Sequence, residues 1–198
     1  MSVITNKRVE EQRVFNLPNQ LTVLRLLLSL VLFVLIGFQF YLAGLLVFTV
    51  AAGTDWLDGY FARKYGQVTN LGRILDPFVD KIIICGTFIF LVAVPGSGVQ
   101  AWMAVVIVGR ELLVTALRSY LEGEGADFSA SMSGKLKMAA QCLAAGISLY
   151  ALYDLQGGSK ILPLALDWAL TASIWLAVAL TIYSGAAYVR RAVALIKR

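Results

Sequence analysis

Histidine is absent from the 198 residues, cysteine occurs twice, and charged residues make up only 15% of the chain. Without an imidazole there is no histidine general base, no His-ligated zinc and no His-ligated haem. The two cysteines, Cys85 and Cys142, lie inside apolar runs. That leaves no CxxC metal site and no disulfide framework, and both side chains are expected as small buried groups. Acidic residues are scarce too, 12 against 17 Lys and Arg, for a net charge of +5. A nucleic-acid binder would carry such a surplus on the face of a soluble fold. Here the basic residues edge the apolar runs, so no nucleic acid is expected as a partner. Anionic lipid head groups or the phosphates of a substrate are expected instead.

What the chain does have is hydrocarbon. Apolar residues make up 59% and mean hydropathy is +0.77, above the usual share for a soluble domain. Apolar runs recur at lengths suited to crossing a bilayer. The pattern predicts an all-α polytopic membrane protein, with six transmembrane helices in one bundle near 21–38, 41–62, 76–95, 99–121, 134–153 and 168–189. The whole of 1–198 is expected as a single domain, with 1–16 as a juxtamembrane segment. Residues 2–15 mix valines with charges, which suits a short amphipathic helix at the membrane surface. Because a polar start precedes a run long enough to span, this end reads as retained rather than as a cleaved signal. Gly37, the Pro95-Gly96-Ser97-Gly98 cluster and Gly157-Gly158 mark turns. Pro18 fits a helix start, with Asn19 as a candidate cap.

Of the 17 Lys and Arg residues, all but Lys160 fall at the termini or beside the second and fourth connections. The positive-inside rule therefore puts both termini and the charged connections on the cytoplasmic side of the cytoplasmic (inner) membrane. Trp102, Tyr150, Tyr153 and Trp168, near span ends, fit interfacial belts. Glu122, Glu124 and Asp127 read as solvated charges in a connection.

Against this background "TDWLDGYFARKYGQVTNLGRILDPFVDK", Thr54–Lys81, stands out. Asp55 and Asp58 are three apart, and Asp76 and Asp80 are four apart. On helices each pair shares a face. Four carboxylates brought together by a short connection repel, and ionised acids near hydrocarbon are costly. One divalent cation or two would relieve this, and oxygen-only ligands favour Mg²⁺ or Mn²⁺, which bridge carboxylates to phosphates. Gly59 and Ala62 keep bulk off the face of the first pair, Gly72 opens the approach to Asp76, and Arg63 can reach a phosphate. The whole reads as a pocket for a metal-bound pyrophosphate.

These residues match D-x2-D-G-x2-A-R-x8-G-x3-D-x3-D at Asp55, Asp58, Gly59, Ala62, Arg63, Gly72, Asp76 and Asp80. In this the chain resembles the CDP-alcohol phosphotransferases. The resemblance implies attack of an alcohol on a CDP-linked donor with loss of CMP. It implies Asp55, Asp58 and Asp76 as metal ligands and Asp80 as both ligand and general base. The implied cofactor is Mg²⁺ or Mn²⁺, as two ions. Gly59, Ala62, Arg63, Thr69 and Gly72 would line the CDP-lipid site. Asn19 and Thr22, on one face with Arg25, would meet the nucleotide or phosphates unless they are simply a polar helix start. The family also implies a homodimer.

"NLPNQLTVLR" (16–25), "GRELLVTALR" (109–118) and "GKLKMAAQ" (134–141) are similar to the phosphatidylglycerophosphate synthase branch of that family. This implies CDP-diacylglycerol as donor, sn-glycerol 3-phosphate as acceptor and membrane lipids as surroundings. Arg110, Arg118, Lys135 and Lys137 then form a cationic seat for the acceptor phosphate. Inositol 1-phosphate would also use such a seat, and an Arg110–Glu111 structural pair remains the plain alternative. A divalent-cation transporter could also hold intramembrane carboxylates, but would spread polar groups across the bilayer. An inactive structural protein would not need the complete motif.

Overall fold

The structure is a computed structural model. It describes the backbone of residues 17–65, 70–123, 132–157 and 163–196, and the side chains there other than 17–19, 55–65, 70–77, 122, 163 and 196. The expected N-terminal amphipathic helix, Thr69, Lys160, and Glu124 and Asp127 lie outside the described residues, as does the Glu122 side chain.

Among the described residues six helices follow one another: α1 (Leu17–Gly37), α2 (Tyr41–Tyr65), α3 (Asn70–Val92), α4 (Ala101–Gly123), α5 (Met132–Gly157) and α6 (Pro163–Ile196). Each expected apolar segment is helical, and no strand occurs among the described residues. The boundaries shift where polar ends carry the helix beyond its apolar stretch. Helix α3 starts at Asn70 rather than near 76, and α6 runs from Pro163 to Ile196 rather than 168–189. At 1.5 Å per residue, α6 is about 51 Å long, more than a bilayer's hydrocarbon needs. Proline at its first position is pre-set for a helix start. Helix α1 begins at Leu17, so Pro18 does sit in a first turn, but Asn19 lies inside that turn and is not the cap.

Among the described residues three helices are long and apolar enough to cross a membrane, within Gln20–Gly37, Met132–Gly157 and Leu164–Leu195, and a shorter apolar stretch runs through Tyr41–Thr54. These mark the chain as a membrane protein. Helices α3 and α4 interrupt their hydrocarbon character with Asp80 and Lys81, and with Arg110, Glu111 and Arg118.

The chain forms two compact units, Met1–Gly86 and Thr87–Arg198. In the first, α1 packs on α2. The inward stripe of α1 is Thr22, Arg25, Ser29, Leu32 and Ile36, a three-four spacing that keeps one face turned to its neighbours. The turn into α2 corrects a sequence expectation. Gly37 stays helical, and the left-handed residue is Gln39, at φ 63°. Gln39 N donates to Ile36 O at 3.0 Å and Phe40 N to Leu35 O at 2.8 Å, the hydrogen-bond pattern of a Schellman cap.

In the second unit α6 packs on α5 and α4. The buried faces of α5 (Ala140, Ala144, Ser148, Ala151) and α6 (Ser173, Ala177, Thr181, Ser184) carry many small residues among larger ones such as Leu149, Leu152, Ile174 and Val178. Such faces let helix backbones approach closely where no hydrophobic force drives association. Gln141 Nε2 donates to Thr181 Oγ1 across that seam at 2.9 Å. The Pro95–Gly98 cluster does form a turn, with Gly96 and Gly98 at φ 88° and 75°. Ser97 ties it down: its Oγ donates to Leu91 O at 2.7 Å, and Ser148 Oγ donates to Ser97 O at 2.7 Å. Cys85 and Cys142 form no disulfide, but both are half-buried rather than fully buried.

Candidate active site

Helical backbone runs through Asp55 and Asp58 in α2, and through Asp76 and Asp80 in α3. Within each pair the spacing therefore puts the carboxylates on one helix face. The side chains of Asp55, Asp58, Gly59, Ala62, Arg63, Gly72 and Asp76, and of Asn19, lie outside the description, so the distance between the pairs does too. No group of three potential metal ligands occurs among the described residues, which include only Asp80 of the four.

Asp80 is held. Arg25 Nη1 of α1 sits 2.5 Å from its Oδ1, with the arginine side chain 2% exposed and the aspartate 24%. A guanidinium in an apolar stretch cannot shed its charge and needs a counter-ion beside it. The inward stripe of α1 points Arg25 at α3, and the polar face of α3 supplies Asp80. Thr22, one turn earlier on α1, is equally buried.

The second unit holds a separate charge cluster. Glu111 of α4 accepts from Lys137 Nζ of α5, and Arg110 Nη1 reaches the same Oε1 at 3.2 Å. Both cations and the carboxylate are at least nine-tenths buried. The Arg110 guanidinium also lies over the Tyr188 ring of α6, 5.4 Å from its centroid, at cation–π range. Arg118 Nη2 reaches the Tyr188 hydroxyl at 3.4 Å. Gly185 makes room on α6: a Cβ there would lie 3.1 Å from Arg110 Cγ. Arg110, Arg118 and Lys137 are thus brought together around Glu111 and Tyr188. Lys135 is not: it is exposed, and two residues from Lys137 on a helix it faces another way. Arg110 and Lys137 share the Glu111 carboxylate, while Arg118 meets the cluster through Tyr188. The buried Nε atoms of Arg110 and Arg118 have no hydrogen-bond partner among the described residues.

A model of the CDP-alcohol phosphatidyltransferase family matches residues 15–183. The chain belongs to the CDP-alcohol phosphatidyltransferase family. Among relatives within it, the CDP-diacylglycerol–glycerol-3-phosphate 3-phosphatidyltransferase of Bacillus subtilis (strain 168) is 38% identical over 189 residues, covering 88% of this chain and 93% of the relative. The protein of the same name from Rickettsia typhi is 35% identical over 177 residues, 87% of this chain and 94% of the relative. The one from Pseudomonas fluorescens is 42% identical over 109 residues, 54% of this chain and 56% of the relative.

For a member of the CDP-alcohol phosphatidyltransferase family the donor set fits a hard divalent ion. It is all carboxylate oxygen, carried on uninterrupted helices. Sequence reasoning singled out neither Tyr188 nor the pairing of Arg25 with Asp80. Tyr188 looked like one more aromatic in the last apolar run, yet it meets both Arg110 and Arg118. Arg25 was read toward phosphates, and the structure places it on Asp80. The one available signal for Tyr188 was the small Gly185 one turn before it.

Proposed function

We propose that this chain transfers the phosphatidyl group of CDP-diacylglycerol to sn-glycerol 3-phosphate, giving phosphatidylglycerophosphate and CMP. The observation that carries the reading is the complete Asp55–Asp80 motif, set on α2 and α3 in a chain whose relatives bear that enzyme's name. Asp80 accepts the proton of the attacking hydroxyl. The new bond joins that oxygen to the lipid-bearing phosphorus, and the pyrophosphate bond to CMP breaks. Asp55, Asp58, Asp76 and Asp80 hold two divalent ions, Mg²⁺ or Mn²⁺, whose bound charge would offset that of the pyrophosphate. Asn19, Thr22, Gly59, Ala62, Arg63, Thr69 and Gly72 contact the CDP-lipid. Arg110, Arg118 and Lys137 take the acceptor phosphate; Lys135, exposed on another face of α5, is left out of that seat. The two buried cations on Glu111, and the Nε atoms of Arg110 and Arg118 that have no hydrogen-bond partner among the described residues, support that role.

The chain works as one catalytic domain and as a homodimer. It crosses the cytoplasmic membrane six times, with both termini and the site on the cytoplasmic side. The one-sided distribution of Lys and Arg supports that orientation.

The test is CMP release by purified protein in detergent with Mg²⁺, CDP-diacylglycerol and radiolabelled glycerol 3-phosphate. Turnover with inositol 1-phosphate but not with glycerol 3-phosphate would overturn the acceptor. Asp80→Asn is expected to lower turnover at least about a hundredfold, the scale of a general base, while CDP-lipid binding persists. Unchanged turnover would remove Asp80 as the base.

A further inference from the structure

The contact between Arg25 and Asp80 lies outside the bond-making and metal-holding steps of the proposed reaction. Arg25 is among the largest fully buried side chains, 2% exposed, and it lies within the apolar Gln20–Gly37 stretch. A charge in that setting is costly and persists where it has a task and a partner. Its partner sits 55 residues away on α3 and is the carboxylate proposed as base. Few side chains could hold Oδ1 so firmly. Guanidinium is planar and permanently charged, and it meets carboxylate oxygens in fixed geometry. With Oδ1 held at 2.5 Å by one Nη1, the rotation of the carboxylate is restricted. A general base is effective only when its lone pair is already aimed at the proton it takes.

We propose that Arg25 is a positioning residue for Asp80: it anchors Oδ1, fixes the direction in which the carboxylate faces the acceptor hydroxyl, and places a permanent positive charge beside the acidic quartet. The inference rests on the reading of Asp80 as metal ligand and base. It carries a consequence opposite in sign to that of a purely structural arginine. A fixed cation beside carboxylates opposes divalent-ion binding. Loss of Arg25 therefore removes the anchor on Oδ1 and loosens the aim of the base, so catalysis suffers. The same loss leaves the quartet more negative, so it binds metal more tightly.

The experiment compares the full-length parent with Arg25→Gln, Arg25→Lys and Asp80→Asn, and with the Arg25→Gln/Asp80→Asn double variant, all purified in detergent. Mn²⁺ binding is followed by electron paramagnetic resonance, and turnover by CMP release. For Arg25→Gln the expectation is a kcat lowered about a hundredfold, KM values within about twofold, and Mn²⁺ bound about tenfold more tightly. Arg25→Lys, which keeps the charge but not the fork, is expected to bind Mn²⁺ as the parent does and to recover part of kcat. In the Asp80→Asn background, Arg25→Gln should change turnover no further.

Mn²⁺ affinity falling in step with kcat would overturn the proposal and leave Arg25 as a strut between helices. Additive losses in the double variant would overturn it as well. If Arg25→Gln fails to fold, Arg25→Lys decides: full parental kcat would show that the fork geometry does nothing for Asp80. A parent that binds no Mn²⁺ and releases no CMP would instead bring down the function on which the proposal rests.

Discussion

Glu111→Gln tests whether the α4–α5–α6 charge cluster holds the second unit together. The carboxylate is 9% exposed and takes both Lys137, at 6%, and Arg110, at 9%. Replacing it by an amide keeps the shape and removes the one negative charge the two cations share. Removing one partner of a buried pair costs about 3–5 kcal/mol, because the remaining charge has lost its compensation. Two features pull toward the lower end. Arg110 retains its place over the Tyr188 ring, worth about 0.5–2 kcal/mol. Lys137, on the second turn of α5, has a long stem that can carry its charge outward. About 3 kcal/mol is therefore expected, a shift of roughly two powers of ten in the unfolding equilibrium. Reversible unfolding in mixed detergent–dodecyl sulfate micelles, followed by tryptophan fluorescence, measures it. The double variant Glu111→Gln/Lys137→Met removes a cation together with the carboxylate and should recover at least about 1 kcal/mol. A Glu111→Gln protein within about 0.5 kcal/mol of the parent, the range of an ordinary surface change, would refute the reasoning, and so would strictly additive single effects.

Two further substitutions follow from packing. A Cβ on Gly86 would lie 2.1 Å from Phe33 Cζ, so Gly86→Ala should destabilise by about 1–3 kcal/mol in the same unfolding assay. Adding Phe33→Leu should relieve most of that loss. Gln141 is fully buried, and its Oε1 has no hydrogen-bond partner among the described residues. Gln141→Met loses the bond to Thr181 but also removes a stranded acceptor, so stability should change by less than about 1 kcal/mol or rise. A loss above about 2 kcal/mol would mean that Oε1 is in fact satisfied.

The helices were legible because the hydrophobic effect acts on local composition: every apolar run became a helix. Their ends were not, because polar residues prolong a helix at no hydrophobic gain that a pattern could reveal. Asn70–Arg73 in α3 and Arg190–Arg191 in α6 show this. The turn after α1 was placed two residues early, since glycine permits a left-handed conformation but does not require it, and Gln39 adopts it instead. At the site, the spacing of the motif singled out four aspartates, and helical backbone runs through all four. Lys135 and Lys137 looked equivalent from the sequence, yet one is exposed and the other buried, because helical rotation separates neighbours two apart.

By itself, then, the sequence determined what repeats within a turn or two: helical segments, paired carboxylates, the one-sided distribution of positive charge and the family signature. Only the tertiary structure decided which charge meets which. Arg25 finds Asp80 across 55 residues, Lys137 finds Glu111 across 26, and Arg118 finds Tyr188 across 70. Any arginine of this chain could in principle neutralise any of its acids. The choice falls to helix packing, because a buried ion must be compensated where the folded chain puts it.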